Sequence, residues 1–316
     1  MQKRRLGKSS LEVAPLMLGG NVFGWTADDK TSFAILDAFV DGGFDFVDTA
    51  NIYSHWAPGH KGGESETVIG KWFKQSGKRT SVVLATKVGG PMGSDPAQKG
   101  LKKDYILRSV EDSLRRLQTD YIDLYQSHFD DLSTPVEEPL EAYAELIKAG
   151  KVRHIGASNF TPERLQAALD VQGLPHYVSL QPLYNLMERA GFEKELKPLC
   201  EREGLGVVPY FSLAAGFLTG KYRSEADLSK SPRGDGSKKY LNPKGLAVLA
   251  ALDEVSARHR TDLASVALGW LLSHPVITAP ISSATSVGQL QSLLKGAQLE
   301  LSAEDVALLD KASAWA

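Results

Sequence analysis

The sequence predicts an α/β chain in which residues 1–316 fold as a single (β/α)8 (TIM) barrel domain, with an N-terminal β-hairpin cap and an extended loop after the seventh strand. Short β-branched runs, each too short for a helix and bounded by Gly, Pro or polar residues, recur at 16–18, 44–47, 82–85, 121–125, 152–155, 178–180, 207–209 and 276–281. Amphipathic stretches of helical period lie between them. The strand starts are about 26 to 39 residues apart until a last interval of about 70, the spacing of eight βα units.

Each element has its own local reason. Residues 3–6 and 11–13 flank Gly7-Lys8-Ser9-Ser10 and read as a short hairpin below the barrel. Phe33, Leu36, Phe39 and Val40 share one face of the first helix; Tyr105, Val110, Leu114 and Leu117 share a face of the third; and Leu140, Tyr143, Ala144, Leu146 and Ile147 share a face of the fourth. Thr161-Pro162-Glu163 reads as an N-cap with proline at the first helical position, and Ser302-Ala303-Glu304-Asp305 places acids in a first turn. Gly150 and Gly204 fall where helix-terminating glycines belong. Residues 221–244 hold seven bases (Lys221, Arg223, Lys230, Arg233, Lys238, Lys239 and Lys244) against three acids, and read equally as a surface loop or as a lid. A doubly wound sheet is disfavoured because Leu18-Gly19-Gly20-Asn21-Val22-Phe23-Gly24 does not make the GxGxxG phosphate turn.

Composition removes several function classes. A formal charge of −2 supplies no global field for nucleic acid or an anionic membrane. No apolar run approaches the ~20 residues of a membrane span, and the first residues lack the apolar core of a signal peptide, so a cytoplasmic protein is expected. The one cysteine, Cys200, forms no intramolecular disulfide.

Barrel active sites sit at the carboxyl ends of the strands. The residues that follow the apolar runs are Asp48, Lys87, His128, Ser158-Asn159, Gln181 and Tyr210, all able to do chemistry or to orient a ligand. Taken singly, Asp48 reads as an N-cap, Lys87 as a surface lysine, His128 as a structural histidine and Tyr53 as packing. Together, a carboxylate, an ammonium and a phenol make a relay expected to lower the tyrosine's proton affinity, with a neutral imidazole to bond a carbonyl oxygen. Two carboxylates for glycoside hydrolysis are absent from these positions, and so is a set of metal ligands.

With these residues in place the chain resembles the aldo-keto reductases over nearly its whole length. Asp48-Thr49-Ala50-Asn51-Ile52-Tyr53 is similar to the family's D-T-A-x-x-Y segment, Thr86-Lys87 to its catalytic lysine and His128 to its histidine. Gly156-Ala157-Ser158-Asn159 is similar to its G-x-S-N turn, and residues 210–221 to its phosphate-side loop. The loop at residues 216–223 and the short tail resemble bacterial reductases of the potassium-channel β-subunit-related branch. The resemblance implies reversible reduction of an aldehyde or ketone, with Asp48, Tyr53, Lys87 and His128 as the catalytic set. It implies NADP(H), with NAD(H) as the alternative, held by Ser158, Asn159, Gln181, Tyr210, Ser212, Leu213, Gly216, Lys221, Arg223, Ser283, Thr285 and Gln289. Near the eighth strand the chain has Ser283, Ala284, Gln289 and Leu293 where many members carry a Lys-Ser pair, an arginine and an asparagine. The expected substrate is a small-molecule carbonyl compound against Phe23, Trp25, Trp56 and Phe129. A slow redox-sensing subunit on the same fold is the alternative reading.

Overall fold

The computed structural model describes residues 1–93, 96–231 and 234–315. Arg233, one of the bases counted in the 221–244 loop, lies outside the described residues. A hairpin of β1 (Arg4–Arg5) and β2 (Glu12–Val13) precedes an alternating series. The series runs β3 (Met17–Gly19), α1 (Asp29–Asp41), β4 (Phe46–Asp48), α2 (Glu64–Ser76), β5 (Val83–Val88), α3 (Lys103–Leu117), β6 (Ile122–Ser127) and α4 (Glu137–Lys148). It continues through β7 (Val152–Ser158), α5 (Pro162–Leu169), β8 (Ser179–Gln181), α6 (Ala190–Glu193), α7 (Leu196–Glu203) and β9 (Gly206–Val207). After the long connection come α8 (Pro243–His259), α9 (Leu263–Leu272), β10 (Ile281–Ser282), α10 (Val287–Gly296) and α11 (Ala303–Ala312).

Eight strands pair in parallel in the order β10-β3-β4-β5-β6-β7-β8-β9. The two ends of that order meet: Thr278 N–H donates to the Val207 carbonyl at 2.8 Å and Ile281 N–H to that of Pro209 at 2.9 Å. The expected (β/α)8 barrel is therefore present. Side chains alternate across the wall, as the two-residue period of a strand requires. Met17, Phe46, Ala85, Leu124, Val208, Ala279 and Ile281 fill the interior, and Leu6, Leu11 and Val13 of the hairpin segment pack beneath them. Leu18, Val47, Leu84, Tyr125, Ile155 and Leu180 point outward into the layer shared with the helices.

The helices begin where their caps dictate. Thr161 accepts from the Arg164 N–H with Pro162 next to it, and Ser302 forms a reciprocal box with Asp305. α1 buries Ser32, Ile35, Leu36 and Phe39, so Phe33 and Val40 flank its inner face rather than form it. The strands run further than their apolar runs. Asp48, Ser158 and Gln181 are terminal strand residues and Lys87 is the penultimate one, all inside the ladder. Between β9 and α8 the chain forms short 3₁₀ turns at Glu225–Lys230 and Gly234–Tyr240.

Candidate active site

Alternation carries the apolar interior into a polar layer at the carboxyl ends. One strand step past Phe46, Ala85 and Leu124 stand Asp48, Lys87 and Gln126, with Gln181 at the end of β8. All four are buried. Lys87 Nζ spends its three protons on Asp48 Oδ2 at 2.6 Å, Tyr53 Oη at 2.8 Å and the Thr49 carbonyl at 2.9 Å. Tyr53 Oη donates to Asp48 Oδ2 at 3.2 Å. Asp48 Oδ1 accepts from Gln126 Nε2 and Gln181 Nε2, each at 3.2 Å. Tyr53 is carried by a tight turn; its successor Ser54 has φ 75° and donates its hydroxyl to the Phe23 carbonyl at 3.0 Å. A serine in the left-handed region is costly, so this hydrogen bond helps to hold the turn that aims Tyr53.

His128, just past β6, meets the Tyr53 ring edge-on at 5.9 Å between centroids and stacks on Phe129 at 4.4 Å. Its Nδ1 is buried with no partner among the described residues. Burial, then the charge of Lys87 and then His55, hold this imidazole well below the usual histidine range, so it is neutral at neutral pH. Burial also lowers Lys87, against the opposing pull of Asp48 and Glu66. Tyr53 departs from expectation. Burial, and then the negative charge of Asp48, push its phenol well above the ordinary tyrosine value. The cluster thus keeps Tyr53 protonated instead of lowering its proton affinity, because the phenol is buried and the Asp48 carboxylate contacts its hydroxyl.

The remaining expected residues divide into those that gather and those that do not. Tyr210 Oη donates to Asn159 Oδ1 at 2.9 Å, Asn159 Nδ2 donates to the His128 carbonyl at 2.9 Å, and Ser158 Oγ donates to the Gln181 carbonyl at 2.8 Å. Ser158, Asn159, Gln181 and Tyr210 therefore adjoin the polar layer. Ser212, whose hydroxyl bonds the Pro209 carbonyl, Leu213 and Gly216 lie in a loop where Phe211, Ala214 and Ala215 all have positive φ. Lys221 folds over this loop, its Nζ 3.4 Å from where a Cβ on Gly216 would stand. Arg223 is instead clamped on Asp253 by two bonds of 2.7 Å. Gln289 turns back to accept from the Thr285 N–H and hydroxyl, and Ser283 Oγ bonds Asn21.

On the substrate side, Trp25 and Trp56 meet edge-on at 5.6 Å and Trp56 reaches Tyr53 at 6.0 Å. Trp56 and Phe129 are 42% and 41% exposed. Phe23 is a correction: it is fully buried in the outer core and walls no cavity at the mouth. Its place in the first βα loop suggested the rim, but the side chain is packed into the core shared with the helices. Gln126 was not found from the sequence, because β6 extends past its apolar run; counting alternate positions from Leu124 reaches it.

The sequence matches the Aldo/keto reductase family over residues 15–314. The chain belongs to the aldo/keto reductase family. It is 40% identical to "Uncharacterized oxidoreductase YrpG" of Bacillus subtilis (strain 168), over 98% of this chain and 95% of that one. It is 32% identical to "Probable voltage-gated potassium channel subunit beta" of Arabidopsis thaliana, over 93% and 90%. It is 30% identical to "L-glyceraldehyde 3-phosphate reductase" of Escherichia coli O157:H7, over 98% and 92%. Membership makes the chain an oxidoreductase of a family that acts on small-molecule carbonyl compounds with NAD(P)H. Among the described residues no helix is long and apolar enough to cross a membrane.

Proposed function

We propose that this aldo/keto reductase reduces an aldehyde or ketone to its alcohol, reversibly, with NADPH preferred over NADH and Tyr53 as proton donor. The observation that carries the reading is the Tyr53 hydroxyl held between Lys87 Nζ and Asp48 Oδ2 at the barrel mouth. A protonated phenol is the form a donor needs; its raised proton affinity opposes release of the proton, and the Lys87 ammonium 2.8 Å away offsets that by stabilising the tyrosinate. As the carbonyl oxygen becomes an alkoxide, Tyr53 Oη gives up its proton to it. Lys87, still donating to the same oxygen, stabilises the tyrosinate that remains, and Asp48 keeps Lys87 charged and oriented. His128, neutral, donates one N–H to the carbonyl oxygen and orients it.

The residues present fit a dinucleotide. Phe211, Ala214 and Ala215 hold left-handed backbone that costs on the order of 1 kcal/mol each, and such strain supports a loop shaped for a ligand. Next to Ser283, the Ser282 hydroxyl is buried without a partner among the described residues. When bound, the cofactor supplies the hydride. Tyr210 would cover the nicotinamide, Ser158, Asn159 and Gln181 its carboxamide, and Ser212, Leu213, Gly216 and Lys221 the pyrophosphate. Ser283, Thr285, Gln289 and the N-terminus of α10 would meet the adenosine end, with Arg223 available only on leaving Asp253. The aromatic rim of Trp25, Trp56 and Phe129 supports a carbonyl compound with apolar surface.

Fluorescence titration with NADPH and NADH, followed by steady-state oxidation of NADPH with a panel of aldehydes and ketones, tests the reading. Tighter NADPH binding and repeated turnover are expected. Binding of neither nucleotide would end it, and turnover no faster than cofactor release with every carbonyl would favour the redox-sensing subunit.

A further inference from the structure

We propose that Gln126 is a positioning residue: it anchors the Asp48 oxygen that Lys87 and Tyr53 leave free, and so fixes how the other oxygen meets those two groups. The inference rests on the proton-donor role of Tyr53 proposed above. Gln126 is 0% exposed in the barrel interior. Burying an amide there is unfavourable unless its groups are bonded, and the interior layer below it is mostly apolar. The bonds are made. Nε2 donates to Asp48 Oδ1, and Oε1 accepts from Gln181 Nε2 at 3.2 Å, while Gln181 Nε2 also reaches Asp48 Oδ1. Two amides and one carboxylate oxygen close a ring.

The neighbouring strand is cut back to make room. Gln126 pairs in register with Lys87 on one side and Gly156 on the other. A Cβ on Gly156 would stand 2.5 Å from Ser179 Oγ and 3.2 Å from Gln126 Cγ. Glycine at that position leaves room for the Gln126 side chain, which a Cβ there would press upon. Gln181 belongs to the cofactor set, whereas Gln126 has no place in it, so a change at Gln126 reaches Asp48 directly and the cofactor set only through its one bond with Gln181.

Losing one donor leaves Asp48 Oδ1 with Gln181 only. The carboxylate then draws harder on the protons of Tyr53 and Lys87 and is held less firmly in its orientation. The titratable groups that face this cluster are Tyr53 and His55 in the turn after β4, Glu66 of α2, Lys87 of β5, His128 after β6 and Tyr210 after β9. None of them replaces the lost donor at Oδ1.

Gln126→Met keeps the length and removes the amide; Gln126→Glu restores a donor only while its carboxyl is protonated. Both are made in the full chain. The methionine variant is expected to keep its NADPH affinity and carbonyl KM, and to lose about tenfold in kcat, the value of one hydrogen bond to a charged acceptor. In chains carrying carbon-13 at tyrosine Cζ, its Tyr53 resonance, assigned with Tyr53→Phe, should move at neutral pH. The glutamate variant should match the parent in mild acid and fall as the introduced carboxyl ionises beside Asp48, an ionisation absent from the parent profile. A methionine variant with parental kcat and an unmoved Tyr53 resonance overturns the proposal. So does a glutamate variant whose profile has the parent's shape, and this arm decides the matter if the methionine chain does not fold. A parent without turnover whose Tyr53 resonance still responds to Gln126→Met would retain the anchoring and overturn the proton-donor reading instead.

Discussion

Lys87→Met separates two things the ammonium does. In the structure it has zero exposure and three acceptors, so the variant strips Asp48 Oδ2 and the Thr49 carbonyl of a donor in a site shielded from water. Removing one partner of a buried ion pair costs about 3–5 kcal/mol in stability, and relief from burying the lysine brings the expected loss toward the lower figure. The effect on turnover comes from elsewhere. A fixed cationic donor 2.8 Å from the phenolic oxygen stabilises the tyrosinate that forms as the proton leaves. Loss of one such donor from a preorganised site costs about 3–4 kcal/mol of barrier, so kcat should fall by a factor on the order of 10² to 10³. Urea unfolding followed by tryptophan fluorescence reads the first effect, and steady-state NADPH oxidation with an aromatic aldehyde reads the second. The NADPH Kd should stay near the parental value, since Lys87 faces Asp48 and Tyr53. A folded variant whose turnover lies within a factor of about three of the parent would refute the argument.

Other outcomes follow from the same geometry. Because burial holds His128 below its usual range, turnover should not change as pH passes through the ordinary histidine value of about 6.5; a titration there would show that His128 acts as a charged group. The alkaline fall in carbonyl reduction should report Lys87, which burial lowers, and should begin below the ordinary lysine value of about 10.4 in a kcat/KM profile. Gly156→Ala should destabilise by about 1–3 kcal/mol in urea unfolding through its clash with Ser179 Oγ, and should lower kcat by displacing Gln126. Asp131→Ala should cost about 1 kcal/mol at neutral pH after allowance for solvent screening. Hydrogen bonds from Ser133, Leu101 N–H and Thr134 hold that carboxyl down to about 2 against the push of burial. Its contribution is present above the unfolded value near 4 and fades as pH falls toward 2, so variant and parent should converge in acid.

Much of the architecture was legible because apolar runs and barrel strands share a cause, burial on both faces. The runs missed the strand ends: Lys87 and Val88, Gln126 and Ser127, and Gly156 to Ser158 still pair by backbone, which polarity does not report. The run at 276–281 was too long for the opposite reason. Pro280 brings no N–H to the ladder, and regular pairing begins only at Ile281. Asp48, Tyr53, Lys87 and His128 could be placed from motif order. The sign of the Tyr53 shift could not, since it depends on burial of the phenol and on its contact with Asp48, which only the folded chain sets. Phe23 failed because a loop aromatic beside a strand end turns inward or outward according to a backbone path that sequence does not encode locally. The ion pair of Arg223, a residue expected at the cofactor, was not legible because its partner Asp253 lies thirty residues away in α8.

The account rests on one hydroxyl, and Tyr53→Phe removes it while leaving the ring against Trp56 and His128. Single-turnover oxidation of bound NADPH by an aldehyde the parent reduces is the direct measurement. A rate lower by a factor on the order of 10² or more, with NADPH affinity retained, is predicted. A rate equal to the parent's would contradict the account.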